Sequence, residues 1–524
     1  MTWESTDPTG KMGGRRRRSA IIALFVIAVI AVGLGTASTA RSLTTQKAGA
    51  GTLTIQTSQG LGFDTKDQQP GFFEQYLQPV YDQLLRLNAK GGPTPYLATS
   101  WSYDAKQTVL TLHLRTGVKF TDGTPFNAQA VKANLLYTKS GASTTASQLK
   151  WIKSVQAVGA STVIIHLTVP DPSLLQNLGG TAGMMASPTA IAGGNLKTQP
   201  VGSGPYVLDA GATTLGATYT FTRNPNYWNA KDFPFDTVVL KVLTDPNATL
   251  NGLRAGQLSG GRLLSVKDGQ AAASDGLHVY YTTNGDLDAL DIFDKAGTIV
   301  PALAKVEVRQ AINFAVDRKA IIQAHTLGKG YASDQIFSIT KNNGIYDPAL
   351  ENVYPYNPAK ARQLLAQAGY PDGFTVTMPD WTPLAPEVMT PLVQELGDVG
   401  IKVTLDPCPL IQCFRGVLSG KYAMTWLEFD DNRPWDATQF RLSPTGAFNP
   451  LHYSDPPVNK LVNQIRLHPS KRLFYYRQLN KYLVTNAWSA PLGPAVGVYV
   501  TAKNVTATQG VYQKQPSLWT YRPA

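Results

Sequence analysis

A chain of 524 residues is too long for one small domain and can bury several cores. With 43% of its residues hydrophobic and 16% charged, it lacks the charge excess of a disordered protein. Of the formal charge of +12, residues 1 to 40 supply +3, through Lys11 and Arg15 to Arg18 against Glu4 and Asp7. The remaining +9 forms no basic stripe interleaved with aromatics, which speaks against a nucleic-acid partner.

Arg15 to Arg18 precede an apolar run from Ala20 to Leu34, and small residues follow from Gly35 to Ala40. That is the order of a secretory signal, at a length bordering on a single membrane anchor. The basic flank places the body of the chain outside the cytoplasm in either case. After a polar linker, residues 52 to 58 alternate like a strand, and the spacing predicts a helix around Phe72 to Leu87. Leu110, Leu112 and Leu114 alternate with Thr111, His113 and Arg115, the period of a half-buried strand. Asp122-Gly123 supplies a turn, and Asn127 is placed to cap a helix carrying Val131 and Leu135. A second alternating strand spans residues 161 to 169, and a Gly/Pro turn cluster fills 200 to 206.

Residues 220 to 257 read as strand, Asn-Pro turn, strand and helix. Val308, Ala311, Ile312, Ala315 and Val316 recur at helical spacing within residues 305 to 322. In the helix over 357 to 374, Asn357 caps, Pro358 takes the first position and Gly369 ends it. Mixed strands and helices with no internal repeat argue for α/β lobes.

Catalytic signatures are missing: there is no G-x-S-x-G elbow, P-loop or strand-linked G-x-G-x-x-G. The six histidines are scattered without metal-ligand spacing, so no metal is expected, and no cofactor. Cys408 and Cys413, the only cysteines, lie close together in a chain read as exported, where a structural disulfide is expected over a metal or redox site. The segment from Trp426 to Phe440 combines aromatics, which offer apolar area and cation-π contact, with carboxylates that fix an amine or hydroxyl. Its bland alternative is an acidic surface loop anchored by aromatics. Tyr227-Trp228 and Trp101 are assigned to packing.

The run PVYDQLLRLNAKGGPTPYLATSWSYDAKQTVLTLHLRTGVKFTDGTPFNAQAVK, over residues 79 to 132, resembles the signature of the family 5 extracellular solute-binding proteins, the peptide, dipeptide and nickel receptors of ABC importers. PVGSGPY at 200 to 206, TRNPNYWN at 222 to 229, VEVRQAINFAVDRKAI at 306 to 321 and YNPAKARQLLAQAGYPDGF at 356 to 374 resemble further motifs of that family, in its order. The resemblance implies an α/β, two-lobed periplasmic-binding-protein-like clamshell (type II, cluster C) with an inserted extra domain. Mapped here, residues 1–50 are the signal or anchor segment and linker. Residues 51–86, 200–285 and 490–524 make lobe one, 87–199 the insertion and 286–489 lobe two.

Family receptors meet a peptide amine through an aspartate after a Y-D-M strand. Aligning on Tyr422 and Met424 puts Phe429 at the usual tryptophan and Asn432 near that aspartate, with Asp431 one step away. The expected ligand contacts are therefore Trp426, Phe429, Asp430, Asp431, Asn432, Trp435 and Asp436, joined by Phe63, Asp64 and Tyr76 after the first strand. A lipid-anchor cysteine after the signal, frequent in the family, is missing, so release or retention by an uncleaved helix is expected. The implied function is non-enzymatic: a monomeric extracytoplasmic receptor that binds an oligopeptide or peptide-like ligand and docks on ABC permease subunits. The alternatives are an envelope hydrolase acting on peptides or glycans, and a membrane-anchored sensor without a transporter.

Overall fold

The computed structural model describes residues 51–58, 62–68, 74–337, 341, 343–430, 433–511 and 513–524. The signal segment expected in residues 1–50 lies outside the described residues, as do Asp431 and Asn432. Among the described residues no helix is long and apolar enough to cross a membrane.

The fold is mixed α/β. Its largest sheet has eight strands, numbered here in chain order: β1 (Thr52–Thr57), β2 (Tyr206–Leu208), β3 (Thr218–Arg223), β4 (Thr237–Val242), β5 (Gly260–Leu263), β6 (His278–Ile292), β7 (Met424–Asp430) and β8 (Ala490–Thr501). Across the sheet the order is β7-β6-β8-β5-β1-β4-β3-β2. β1 runs parallel to β4 and β5, while the other pairings are antiparallel. Because β1 lies inside the sheet, Thr54 and Gln56 are buried along with Leu53 and Ile55.

A separate antiparallel sheet orders Ala98–Tyr103, Val109–Leu114, Thr162–Leu167 and Ile152–Val158. Leu110 and Leu112 are fully buried in it, and the helix Ala128–Lys139 packs on it with Asn127 accepting from the Ala130 N–H at 3.0 Å.

Of the helix expected over Phe72 to Leu87, the described residues show Glu74–Leu77. Pro79 ends it, since proline lacks the N–H and restricts the residue before it. A turn over residues 78–80 follows, and the Val80 carbonyl accepts from the Gly204 N–H at 2.8 Å. This contact explains the glycines of the 200–206 turn. A Cβ at Gly202 would sit 2.1 Å from the Val80 oxygen, and one at Gly204 2.4 Å from the Val80 carbonyl carbon. The periodic stretch after Lys305 divides into Val306–Ala315 and α1 (Arg318–His325). Val316 is extended between them, and Asp317 caps α1 by accepting from the Ala320 N–H at 3.0 Å.

Buried apolar residues gather into separate clusters. One draws on Leu84 to Met185, and another joins Leu53 and Ile55 to Tyr499 and Tyr521. A larger one draws on Leu290 to Leu492, and a smaller one on Leu287 to Trp488. Cys408 and Cys413 form a disulfide with Cα atoms 5.5 Å apart.

Candidate functional site

The alternation of β6 decides which side chains meet. Asp286, Asp288 and Leu290 fall on one face of the strand, with Leu287, Ala289 and Asp291 on the other. The register with β7 sets Asp288 opposite Glu428 and Leu290 opposite Trp426. Two carboxylates directly across a ladder repel, so the pair calls for a cation beside it. His325, the last residue of α1, supplies it. Its Nε2 is 3.1 Å from Glu428 Oε1 and 3.8 Å from Asp288 Oδ2. Its Nδ1 is 2.7 Å from Oε1 of Glu387, which stands in the first turn of α2 (Pro386–Asp398). The Trp426 indole N–H donates to Asp288 Oδ1. Asp288 is fully buried, and its Oδ2 has no hydrogen-bond partner among the described residues. Beside them, the Lys514 ammonium pairs with Asp286 Oδ2 at 3.0 Å, both side chains buried.

Burial pushes the Asp288 carboxyl above the ordinary carboxylate range; His325 opposes the shift and Glu428 adds to it. Asp286 is raised by burial against the pull of Lys514. Burial alone would lower the His325 imidazole, but its hydrogen bond to Glu428 and the charges of Asp288 and Glu428 outweigh that and raise it to about 9. Glu428 is held low, because its bond to His325 overcomes its burial. Its side chain is 37% exposed. Along β6 and β8 there is also a cavity of about 330 Å³, lined by Tyr281, Thr283, Lys329, Val496 and Gln509.

The residues singled out in sequence fall in different settings. Trp426 is buried, and its indole serves Asp288. Phe429 and Asp430 occupy the end of β7, with Asp430 opposite Asp286 in the register. Trp435 is buried, with the Arg466 guanidinium 5.4 Å from its ring centroid. Asp436 accepts from Arg433 Nε at 2.6 Å, and Arg433 also donates to Asn177 Oδ1 at 3.0 Å. Phe63 and Tyr76 are fully buried and stack with centroids 4.4 Å apart, so their rings serve the core and present no surface to a solute. Asp64 caps the turn at Thr65–Asp67 and accepts from the Tyr137 hydroxyl at 2.8 Å, a structural use of the carboxylate. Tyr227 and Trp228 donate to the buried carboxylate of Asp82, at 2.7 and 3.0 Å.

Arg433 belongs to a polar bridge between residues 87–199 and the segment after β7. The Arg466 guanidinium lies 4.8 Å from the Trp151 centroid, and Arg472 donates to Gln107 Oε1 at 3.3 Å.

Sequence reasoning missed Asp286, Asp288, His325, Glu387, Glu428 and Lys514. His325 and Glu428 are 103 positions apart, so no local spacing relates them. One signal was present: acidic residues at alternating positions inside the apolar run 286 to 293, where a carboxylate needs a partner.

Comparisons with known proteins agree with this architecture. Residues 92–449 match the bacterial extracellular solute-binding proteins, family 5 Middle. The glutathione-binding protein GsiB of Pectobacterium atrosepticum is 32% identical over 406 residues, covering 71% of this chain and 74% of its own. GsiB of Shigella flexneri is 29% identical, covering 65% of this chain and 66% of its own. Among solved structures, the ABC transporter-associated periplasmic binding protein DppA of Helicobacter pylori, in complex with the peptide STSA, superposes with a TM-score of 0.74 at 20% identity, covering 92% of this chain and 100% of that one. NikA of Brucella suis, in complex with Fe(III)-EDTA, gives 0.77 at 22% identity, with 90% and 100% covered.

Proposed function

The chain belongs to the bacterial extracellular solute-binding proteins of family 5, and on that premise we propose that it captures a peptide or peptide-like solute between two lobes and delivers it to an ABC permease. Proteins of this family bind small-molecule or peptide ligands and work with ABC permeases. The assignment of a peptide-like solute rests on the glutathione-binding relatives together with one observation: the partly exposed carboxylate of Glu428 near the end of β7, suited to an amine.

We assign lobe one to residues 51–86, 200–285 and 490–524, the insertion to 87–199 and lobe two to 286–489. The partition of the buried clusters supports it. β6 runs through both lobes, and its register with β8 is irregular between Thr283 and Leu287, where the assigned boundary falls. This is where a hinge would bend, and closure would be driven by contacts made only with solute in place. Asp430, Asp431, Asn432 and Asp436 are the proposed amine and hydroxyl contacts. The protein would act outside the cytoplasm as a monomer, without chemistry on the solute.

Isothermal titration of the purified protein with reduced glutathione and with di- to pentapeptides tests the reading. A single saturable solute with Kd near 1 µM, about −8 kcal/mol, recovered chemically unchanged, is the expected result. Glu428→Gln should weaken it. Failure of the whole series to bind would overturn the solute class, and consumption of the solute would overturn the receptor reading in favour of a hydrolase.

A further inference from the structure

We propose that Asp288, His325 and Glu428 form a binding site for a divalent transition metal of the zinc type. The metal would take the Glu428 carboxylate in place of the solute amine considered above, and the proposal holds whichever solute the protein carries. One Nε2, one Asp oxygen and one Glu oxygen lie within 4.8 Å of one another, contributed by β6, α1 and β7. Zinc bonds to His nitrogen and carboxylate oxygen run about 2.0–2.2 Å, so tetrahedral ligand atoms stand about 3.4 Å apart. The two separations from His325 Nε2, 3.1 Å to Glu428 and 3.8 Å to Asp288, straddle that value. An ion could therefore enter with only small side-chain adjustments.

Two further observations point to a cation. Asp288 Oδ2 is fully buried, faces the imidazole and has no hydrogen-bond partner among the described residues, whereas Oδ1 is held by the Trp426 indole. A buried carboxylate oxygen left so is costly, and a metal bond would satisfy it. Glu387 meets the Nδ1 edge of His325 at 2.7 Å. A carboxylate accepting Nδ1–H fixes the tautomer that presents the Nε2 lone pair, the arrangement that orients metal-ligating histidines. The carbonyl end of α1 adds negative potential at the same point. Glu428 and His325 reach solvent, with 37% and 18% of their side chains exposed, leaving a fourth position for water or a donor atom of a solute.

The metal-free alternative is a protonated imidazole donating Nε2–H to Glu428. It leaves Asp288 Oδ2 unbonded, 3.8 Å from the nearest imidazole nitrogen. Metal binding would displace that proton.

The test uses the full-length protein without an affinity tag, stripped with chelator and titrated with Co²⁺ and then Zn²⁺, no solute being present. The expected result is one equivalent bound, with visible ligand-field bands of four-coordinate Co²⁺ that Zn²⁺ displaces, protons released, and a Kd for Zn²⁺ of 1 µM or tighter. His325→Gln and Glu428→Gln should each weaken Zn²⁺ at least 100-fold, and Glu387→Gln by about 10- to 100-fold, as for residues that orient a ligand. Should Asp288→Asn fail to fold, His325→Gln and Glu428→Gln decide the outcome, with circular dichroism to establish that they are folded. No saturable binding to the wild type, or a Kd unchanged in His325→Gln, overturns the proposal. Peptide titration of the stripped protein reports on the solute reading separately.

Discussion

Arg318→Met should lower stability more than a conservative change of volume would suggest, because this guanidinium ties together four separate stretches of chain. Its Nε donates to the Pro491 carbonyl at 3.0 Å, and Nη2 donates to the carbonyl and side-chain oxygens of Asn313 at 3.2 and 3.1 Å. Nη1 donates to the Tyr354 carbonyl and lies 2.7 Å from Asp334 Oδ1. Both partners of the ion pair are buried, with 8% and 1% of their side chains exposed. Removing one member of such a pair leaves the other charge uncompensated, at a cost of about 3–5 kcal/mol. With an m-value of about 3 kcal/mol/M, a loss of about 4 kcal/mol moves the urea midpoint down by about 1.3 M. At about 2–4 °C per kcal/mol, the melting temperature falls by roughly 10 °C.

Trp381 and Trp426 share the core cluster that holds Ile321 and Leu492, so tryptophan fluorescence reports on this transition. The double variant Arg318→Met/Asp334→Leu should recover much of the loss, since replacing both members by apolar groups removes the uncompensated charge. The difference between double and single variants measures their coupling. A single variant whose midpoint moves by less than about 0.3 M, or a double variant no more stable than the single, would refute the argument that charge desolvation dominates.

Asp294 accepts from the N–H groups of Thr298, Ile299 and Val300, and this holds its carboxyl below the ordinary range against the effect of burial. A depressed folded-state pKa contributes stability above the unfolded value near 3.8 and loses it as pH falls through the folded one; Asp294→Asn should therefore lower stability at neutral pH and flatten its decline below pH 4, read by urea titration at stepped pH. Cys408→Ser/Cys413→Ser releases a short loop and should cost about 2 kcal/mol by chain entropy, seen as a lower melting temperature that reductant reproduces only in the wild type. Gly202→Ala should destabilise by about 1–3 kcal/mol, as overpacking does, because its Cβ would meet the Val80 carbonyl oxygen at 2.1 Å and backbone must move; a neutral thermal melt would refute the close-approach account.

What the sequence made legible was whatever rests on neighbours along the chain. Asn127, Asn357 and Pro358 mark helix starts because capping is local, and Leu110 and Leu112 declare a buried face by period alone. The helix forecast over 72 to 87 failed where a tertiary contact intervened: beyond Pro79 the backbone of Val80 and Leu84 is claimed by Gly204 and Gly183, far along the chain. The candidate site lies at the far end of that scale. The spacing of its histidine carries no information, since α1, α2, β6 and β7 bring His325, Glu387, Asp288 and Glu428 together only when the sheet order β7-β6-β8 has formed. What the chain did reveal is the anomaly that made such a meeting necessary. Carboxylates at positions 286, 288 and 291 of the otherwise apolar run 286 to 293 are too costly to bury alone, and each has a cation beside it, Lys514, His325 and Arg441 respectively. Two of these pairs use a cation with no acceptor capacity. The third uses an imidazole whose second nitrogen is already engaged by Glu387, and that difference marks the Asp288 face, rather than its neighbours, as the place where a ligand can enter.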